Sequence, residues 1–454
     1  MNRLYNELYD GGIVPLSIED DISAKRNIYT VVVGKNGVGK SRLLSQITKK
    51  CIINQDEYLY VKNHNFYRAF PKVIAVSTSP FDKFPTIRRT NYTQKLESNY
   101  RYVGMRGDGP YIVSNVVSLL SSASNGWLEK LANSENPTNL LDVFHSLNFE
   151  PFIDFIFKPT YMGIQRELIE VDSVQHEVCS EINNLNMKYG ISIEHRYVKI
   201  IDTYNYDTRQ EIYDAMIQIN KYLSSRKAIN LSVDFIKSEL FFGGSFTSST
   251  FIKLVLKLFN LGFIRLMDIR MIKNDFGPMS LKRASSGEQC LLIMMLGIAG
   301  HISDNSLILI DEPEISLHPR WQEEFMIMLT KSFSSYEGCQ FIIATHSPQI
   351  ISRLPSQGCY ITSLSNNEIY RSDTFSERSA DYQLAELFDA PGIMNEYIAR
   401  LSFSLLSKVK LAKSVSDINK EELDYIENLA KNIDFNDPIK VLVESVKQVC
   451  DLYA

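Results

Sequence analysis

Gly34-Lys-Asn-Gly-Val-Gly-Lys-Ser41 decides how the rest of the chain is read. It fits the pattern G-x-x-x-x-G-K-[ST], in which glycines let backbone amides turn inward onto phosphates. The flanks agree with that reading. Ile28-Tyr-Thr-Val-Val-Val33 is a β-branched run that ends in glycine, the mark of a buried strand. Arg42-Leu-Leu-Ser-Gln-Ile-Thr-Lys-Lys50 has helical periodicity and ends in basic residues, where they suit the helix dipole. Gly34, Lys35, Asn36, Gly37, Val38 and Gly39 are thus expected to cradle phosphates, with Arg42 opening the helix behind them. Lys40 is expected to face the terminal phosphates and Ser41 to offer a hydroxyl to Mg²⁺. Alone, the stretch implies only a bound nucleotide.

Working outward, Lys72-Val-Ile-Ala-Val-Ser77 reads as a second buried strand, with more strand material near Tyr100 to Met105. Leu307-Ile-Leu-Ile310 is a third such run and meets Asp311-Glu312, and Gln340-Phe-Ile-Ile-Ala-Thr345 is a fourth, ending at His346. Buried runs alternating with helices predict an α/β fold with a parallel sheet covered on both faces. A carboxylate at the end of such a strand reaches the metal beside the loop, which makes Asp311 the metal-side residue. Glu312 is then the candidate base that orients the attacking water.

Ser285-Ser286-Gly-Glu-Gln289 opens the apolar helix Cys290 to Ala299. On its own it reads as a helix start with Ser285 or Ser286 as the cap. Gly358-Cys-Tyr-Ile-Thr and Glu368-Ile-Tyr-Arg flank Asn366-Asn367 and predict a hairpin. Between about Val113 and Leu240 the pattern is predominantly helical, broken near Pro137, Pro151, Pro159 and Gly190, with no phosphate-binding signature. The expected organisation is an ATPase half at 1–112, a mostly helical insertion at 113–243, the second ATPase half at 244–378 and a helical C-terminal region at 379–454.

In bulk, 454 residues exceed what one core usually serves. Apolar content of 44 % and charged content of 22 % are those of a globular protein. A net charge of −5 argues against a general nucleic-acid coat protein. Cys51, Cys179, Cys290, Cys339, Cys359 and Cys450 form no C-x-x-C pair, so neither a metal framework nor a disulfide scaffold is expected. MNRLYNELYDGG has no signal-peptide pattern, and Cys290–Ala299 is about half the ~20 residues of a membrane helix. These readings place the protein in the cytoplasm, away from membranes.

The order of these elements resembles the RecF/SMC-like branch of ABC ATPases. Glu314-Ile-Ser-Leu-His318-Pro319 follows the Asp-Glu pair, and L-H-P there is similar to the OLD-like, defence-associated ATPases of prokaryotes. The resemblance implies that Ser286, Gly287 and Glu288 form a signature facing a nucleotide held by a second copy. It implies that His346 is a switch histidine on the γ-phosphate. The family's glutamine after the second core strand is missing: Ala75-Val-Ser77-Thr78-Ser79-Pro80 stands there, leaving Ser77, Ser79, Gln94 or Gln165 to substitute. Tyr382-Gln-Leu-Ala-Glu-Leu-Phe-Asp-Ala-Pro-Gly392 and Asn395-Glu396-Tyr397 resemble segments of the ATPases of PARIS (AriA) and of Septu and some retrons (PtuA). The missing glutamine implies slow turnover, and the family likeness implies an ATP-sandwich dimer, a trimer of such dimers, a nuclease effector encoded nearby and a phage-encoded trigger. The competing expectation is a RecF-like repair ATPase that binds DNA directly, with Arg265, Arg270 and Lys273, or Arg88 and Arg89, along a groove.

Overall fold

The four apolar runs read above are strands whose residues are buried on both faces, so each must be covered by a layer on either side. The computed structural model describes residues 3–18, 25–53, 71–85, 99–104, 126, 128–130, 140–162, 174–223, 228–237, 239–242, 245–246 and 249–454. In chain order, a hairpin of β1 (Asn6–Tyr9) and β2 (Gly12–Pro15) precedes β3 (Ile28–Val33), α1 (Lys40–Cys51), β4 (Val73–Ser77) and β5 (Tyr100–Gly104). There follow α2 (Leu141–Ser146), β6 (Phe149–Pro159), α3 (His176–Tyr189), α4 (His195–Asp202) and α5 (Tyr206–Leu223). Next come β7 (Ile229–Asp234), β8 (Glu239–Phe242), β9 (Ser245–Phe246), α6 (Ser249–Asn260), β10 (Ile264–Lys273) and β11 (Gly277–Ser280). The second part of the core supplies α7 (Ser286–His301), β12 (Leu307–Asp311), α8 (Pro319–Ser332), β13 (Gln340–Ala344), α9 (Pro348–Ser352), β14 (Cys359–Ser363) and β15 (Glu368–Arg371). The chain closes with α10 (Ala380–Glu386), α11 (Glu396–Ala412), α12 (Asp417–Ala430) and α13 (Pro438–Tyr453).

Seven strands form the central sheet in the order β15-β14-β3-β13-β12-β4-β5, parallel except for the β14–β15 hairpin. Alternate residues of each strand feed different layers. Val32, Leu309, Ile342 and Ala344 pack with Leu43, Leu44 and Ile47 of α1. Val31, Ile308, Ile310 and Ile343 pack with Leu291, Met295 and Ile298 of α7 on the other face. That second layer buries α7 on nearly every side, which is why its sequence is apolar all round.

The stretch expected to be mostly helical is so only in part. A second, antiparallel sheet runs β11-β10-β6-β7-β8-β9, with the 11-residue β6 hydrogen-bonded on both sides by β10 and β7. Pro151 and Pro159, read as helix breaks, belong to β6. Pro151 lies where the β6–β10 register shifts, between the pairs Met271–Ile153 and Lys273–Phe149, so its missing N–H interrupts no regular ladder. Strands β10 and β11, expected within the second ATPase half, belong to this sheet as well. The expected boundaries at 112/113 and 243/244 fall outside the described residues. The C-terminal helices have an apolar core of their own, with Ile398, Leu405, Val409, Ile426, Val443 and Val446 at its centre.

Candidate nucleotide site

Parallel pairing sets β3, β13, β12 and β4 side by side, with Asp311 level with Ala344 on one side and Ser77 on the other. The loops at their carboxyl ends therefore meet, as ligand sites do in such sheets. Gly39 caps α1 with φ +106, a conformation side-chain-bearing residues seldom adopt. A Cβ there would lie 2.2 Å from the Tyr9 hydroxyl, which donates a hydrogen bond to the Gly39 carbonyl at 3.2 Å. The N-terminal hairpin thus buttresses the loop, a contact between residues thirty apart.

Lys40 is buried, and its ammonium donates to the carbonyls of Gly34 (2.8 Å) and Lys35 (3.2 Å) and to Nδ1 of His346 (3.0 Å). Burial lowers its pKa to about 8, against the pull of Glu314, Glu312 and Asp311, so it is charged at neutral pH. The Ser41 hydroxyl donates to Asp311 Oδ1 at 3.0 Å. Asp311 is itself buried, and burial raises its pKa to about 7, with Glu312, Asp82 and Glu314 adding to the rise. A buried carboxylate beside a hydroxyl, with further carboxylates around it, is a donor set that suits a divalent cation.

Glu312 has a positive φ of 50, held by its N–H donating to the Ala344 carbonyl at 2.9 Å. Its carboxylate lies 3.6 Å from His346 Nε2. Since the Lys40 ammonium can only donate, Nδ1 of His346 accepts and the ring proton sits on Nε2, facing Glu312. Burial and then Lys40 lower the His346 pKa to about 4. Nitrogen-detected NMR should therefore find an Nε2–H tautomer that protonates only near pH 4, and Lys40→Met should raise that midpoint. A folded pKa below the ordinary histidine value of 6.5 means that stability is lost as pH falls from about 6.5 towards 4. A midpoint near 6.5 in the folded protein would overturn this assignment.

Sequence reasoning assigned Glu314 no role, yet it ties down Thr345 and His346. Its two carboxylate oxygens accept from the His346 N–H (2.6 Å) and the Thr345 hydroxyl (2.9 Å). The available signal was its place in the Glu314–Pro319 stretch. Gln322 adds a second tie, donating to Leu317 O at 2.9 Å and accepting from Ser347 Oγ at 2.6 Å. His318 caps α8 by accepting from the Arg320 N–H at 3.3 Å.

The other loop residues take varied places. Asn36 is exposed at the tip, Val38 donates its N–H to Lys35 O at 3.3 Å, and Arg42 reaches Gly37 O at 3.5 Å. Lys35 forms an ion pair with Asp389, a residue of the C-terminal Tyr382–Gly392 segment that sequence reasoning did not link to the loop. At the missing glutamine, the hydroxyls of Ser77 and Ser79 accept from the N–H groups of Ser79 and Phe81 and turn the chain. That turn buries Asp82, whose Oδ2 accepts from the Tyr102 hydroxyl at 2.7 Å. Gln94, Gln165, Arg88 and Arg89 lie outside the described residues.

Ser286, Gly287 and Glu288 take no part in the hydrogen bonds of Lys40, Ser41, Asp311 and His346 given above. Ser285 is the N-cap of α7 and shares a capping box with Glu288, while Ser285 and Ser286 are both exposed. A Cβ on Gly287 would meet Ser316 O at 2.7 Å and the Trp321 ring at 2.8 Å, so only glycine allows this approach. The Glu288 carboxylate, expected at the nucleotide, instead turns back onto its own cap and onto Lys273. Of the expected DNA groove, Lys273 is committed to Glu288, and Arg270 pairs with Asp268 at 3.7 Å.

Residues 245–352 match the family described as "AAA domain, putative AbiEii toxin, Type IV TA system". The retron Ec83 probable ATPase of Escherichia coli is 24 % identical over 390 residues, covering 75 % of this chain and 68 % of that protein. The retron Vc95 probable ATPase of Vibrio cholerae serotype O1 biovar El Tor is 28 % identical over 164 residues, 32 % of this chain and 30 % of its own length. Endonuclease GajA of Bacillus cereus (strain HuB5-5) is 22 % identical over 369 residues, 71 % of this chain and about half (52 %) of GajA. Among the described residues no helix is long and apolar enough to cross a membrane. Site geometry and similarity together fit an ATPase core of the phosphate-loop type, and the chain is similar at low identity to retron ATPases and to GajA.

Proposed function

We propose that the chain is the ATP-binding and ATP-hydrolysing subunit of an anti-phage defence complex, which closes as a dimer across ATP and controls a separate nuclease. One observation carries the reading. The loop, Asp311, Glu312 and His346 converge in one cluster, whereas Ser285 and Ser286, which open α7, are exposed, with their turn tied to Lys273 through Glu288. Each chain then holds half of two sites, and a second copy completes them. The names of the relatives, retron ATPases and an endonuclease, support the defence setting.

In this reading Gly34–Gly39 and the N-terminus of α1 bind the phosphates, and Lys40 swings from the loop carbonyls onto their terminal oxygens. Ser41 and Asp311 would hold Mg²⁺, whose charge offsets that of the phosphates. Glu312 orients water, and neutral His346, held by Glu314, donates its Nε2 proton as a hydrogen bond. Six copies, as a trimer of dimers, and release of the effector by a phage protein remain part of the proposal.

Light scattering tests the pairing. With ATP the chain should double in mass, and Ser286→Arg should stay monomeric with nucleotide affinity within about threefold of wild type, since its own loop is untouched. A wild-type chain that remains monomeric at saturating ATP would sink the proposal. Co-expression with adjacent genes tests the effector, and failure to recover a nuclease would remove that part alone.

A further inference from the structure

Glu288 was expected to touch nucleotide, and its actual partners assign another residue to the site. One oxygen, Oε2, accepts from the Ser285 N–H (2.8 Å) and hydroxyl (3.0 Å), and Ser285 Oγ in turn accepts from the Glu288 N–H at 3.3 Å. The other, Oε1, accepts from Lys273 Nζ at 2.5 Å. The pair is largely withdrawn from water, with side-chain exposures of 18 % for Lys273 and 8 % for Glu288. The Lys273 ammonium also stands 5.4 Å from the ring centre of Phe149 and 5.6 Å from that of Phe276. Burial pushes the Glu288 carboxyl up, but the bonds from Lys273 and Ser285 outweigh it and hold the group below its ordinary range.

Lys273 is the last residue of β10, paired with Phe149 of β6 and Gly277 of β11. The ion pair therefore joins the six-stranded sheet to the first turn of α7. On its other side that turn is fixed by Gly287 against Ser316 and Trp321. A buried ion pair is seldom more stabilising than an apolar pair of the same size, so this one is better explained by what it orients. What it orients is the exposed Ser285-Ser286 turn.

We infer that Lys273 is a positioning residue of the composite ATP site: it holds the Ser285–Glu288 turn of one chain in register for the nucleotide on a second copy. This rests on the composite-site reading proposed above. It makes the six-stranded sheet part of the ATPase, because a displacement of β10 would move the signature turn.

Lys273→Met, which keeps the length and removes the charge, should lower kcat about tenfold or more with KM for ATP within about threefold, because the chain's own loop still binds. Lys273→Arg should restore at least half of the turnover. The decisive measurement mixes impaired chains. Lys40→Ala mixed equally with Lys273→Met should recover between about a quarter and about half of wild-type activity, since each mixed dimer holds one intact site and between half and all of the dimers are mixed. Lys40→Ala mixed with Ser286→Arg is the control, with the same recovery expected. Recovery in the control alone would overturn the role of Lys273, which would then act within its own chain or on folding. Recovery in neither would overturn the composite site and this inference with it. If Lys273→Met fails to fold, Glu288→Gln, which retains an acceptor for the cap, replaces it in the same mixture.

Discussion

Glu312→Gln is expected to lower ATP turnover by about 10³-fold while leaving ATP affinity within about threefold of wild type, the effect of removing a general base. Backbone at φ 50 and the bond from Glu312 N–H to Ala344 O fix where the side chain begins, and glutamine preserves both shape and reach. What it removes is the charge that faces Nε2 of His346 at 3.6 Å, and with it the base proposed to draw a proton from water. Binding is insulated from the change, because Lys40 and Ser41 make their contacts with Gly34, Lys35, His346 and Asp311 instead. Release of phosphate, nucleotide affinity and mass by light scattering separate the terms. The variant should accumulate as an ATP-bound dimer that dissociates slowly. Turnover within twofold of wild type would show that another group activates the water.

The parts of this site that could be read in the sequence are those whose physics is local. Strands β3, β4, β12 and β13 are short apolar runs because both faces are covered, and each ends where Gly34, Ser77, Asp311 or Thr345 must leave the sheet. The capping box Ser285-x-x-Glu288 was also visible as a pattern, although its glutamate was expected at the nucleotide. The hairpin β1–β2 carried a signal too, in Asp10-Gly11, both with positive φ. Long-range contacts carried none. Tyr9 beneath Gly39, Asp389 on Lys35, Tyr102 on Asp82 and Lys273 on Glu288 depend on how separate segments are laid together. The six-stranded sheet was missed for another reason. In Phe149–Pro159 the two prolines imitate a broken helix, and the irregularity at Pro151 that lets a strand contain one is a property of its pairing with β10.

Lys40→Ala should weaken ATP binding by about 100-fold, near 3 kcal/mol, within the range for losing charge-assisted hydrogen bonds. The surroundings of Lys40 argue for a large effect. Its ammonium faces Glu314, Glu312 and Asp311, all of which act on its charge. Without it, the phosphates of ATP would enter a site whose nearby side chains are carboxylates, and Asp311 is already pushed up to about 7 by burial and by its neighbours. The loss should therefore exceed that of a solvated lysine, and added Mg²⁺ should recover part of it by supplying positive charge beside Asp311. Fold stability should change little. The Gly34 and Lys35 carbonyls lose a donor, but the strand and helix that carry the loop keep their packing through Val32, Leu43, Leu44 and Ile47. Titration with a fluorescent ATP analogue, paired with a thermal melt, distinguishes the two effects. Affinity within threefold of wild type would mean that the loop amides and the dipole of α1 bind the phosphates unaided, and that Lys40 serves mainly to keep His346 neutral.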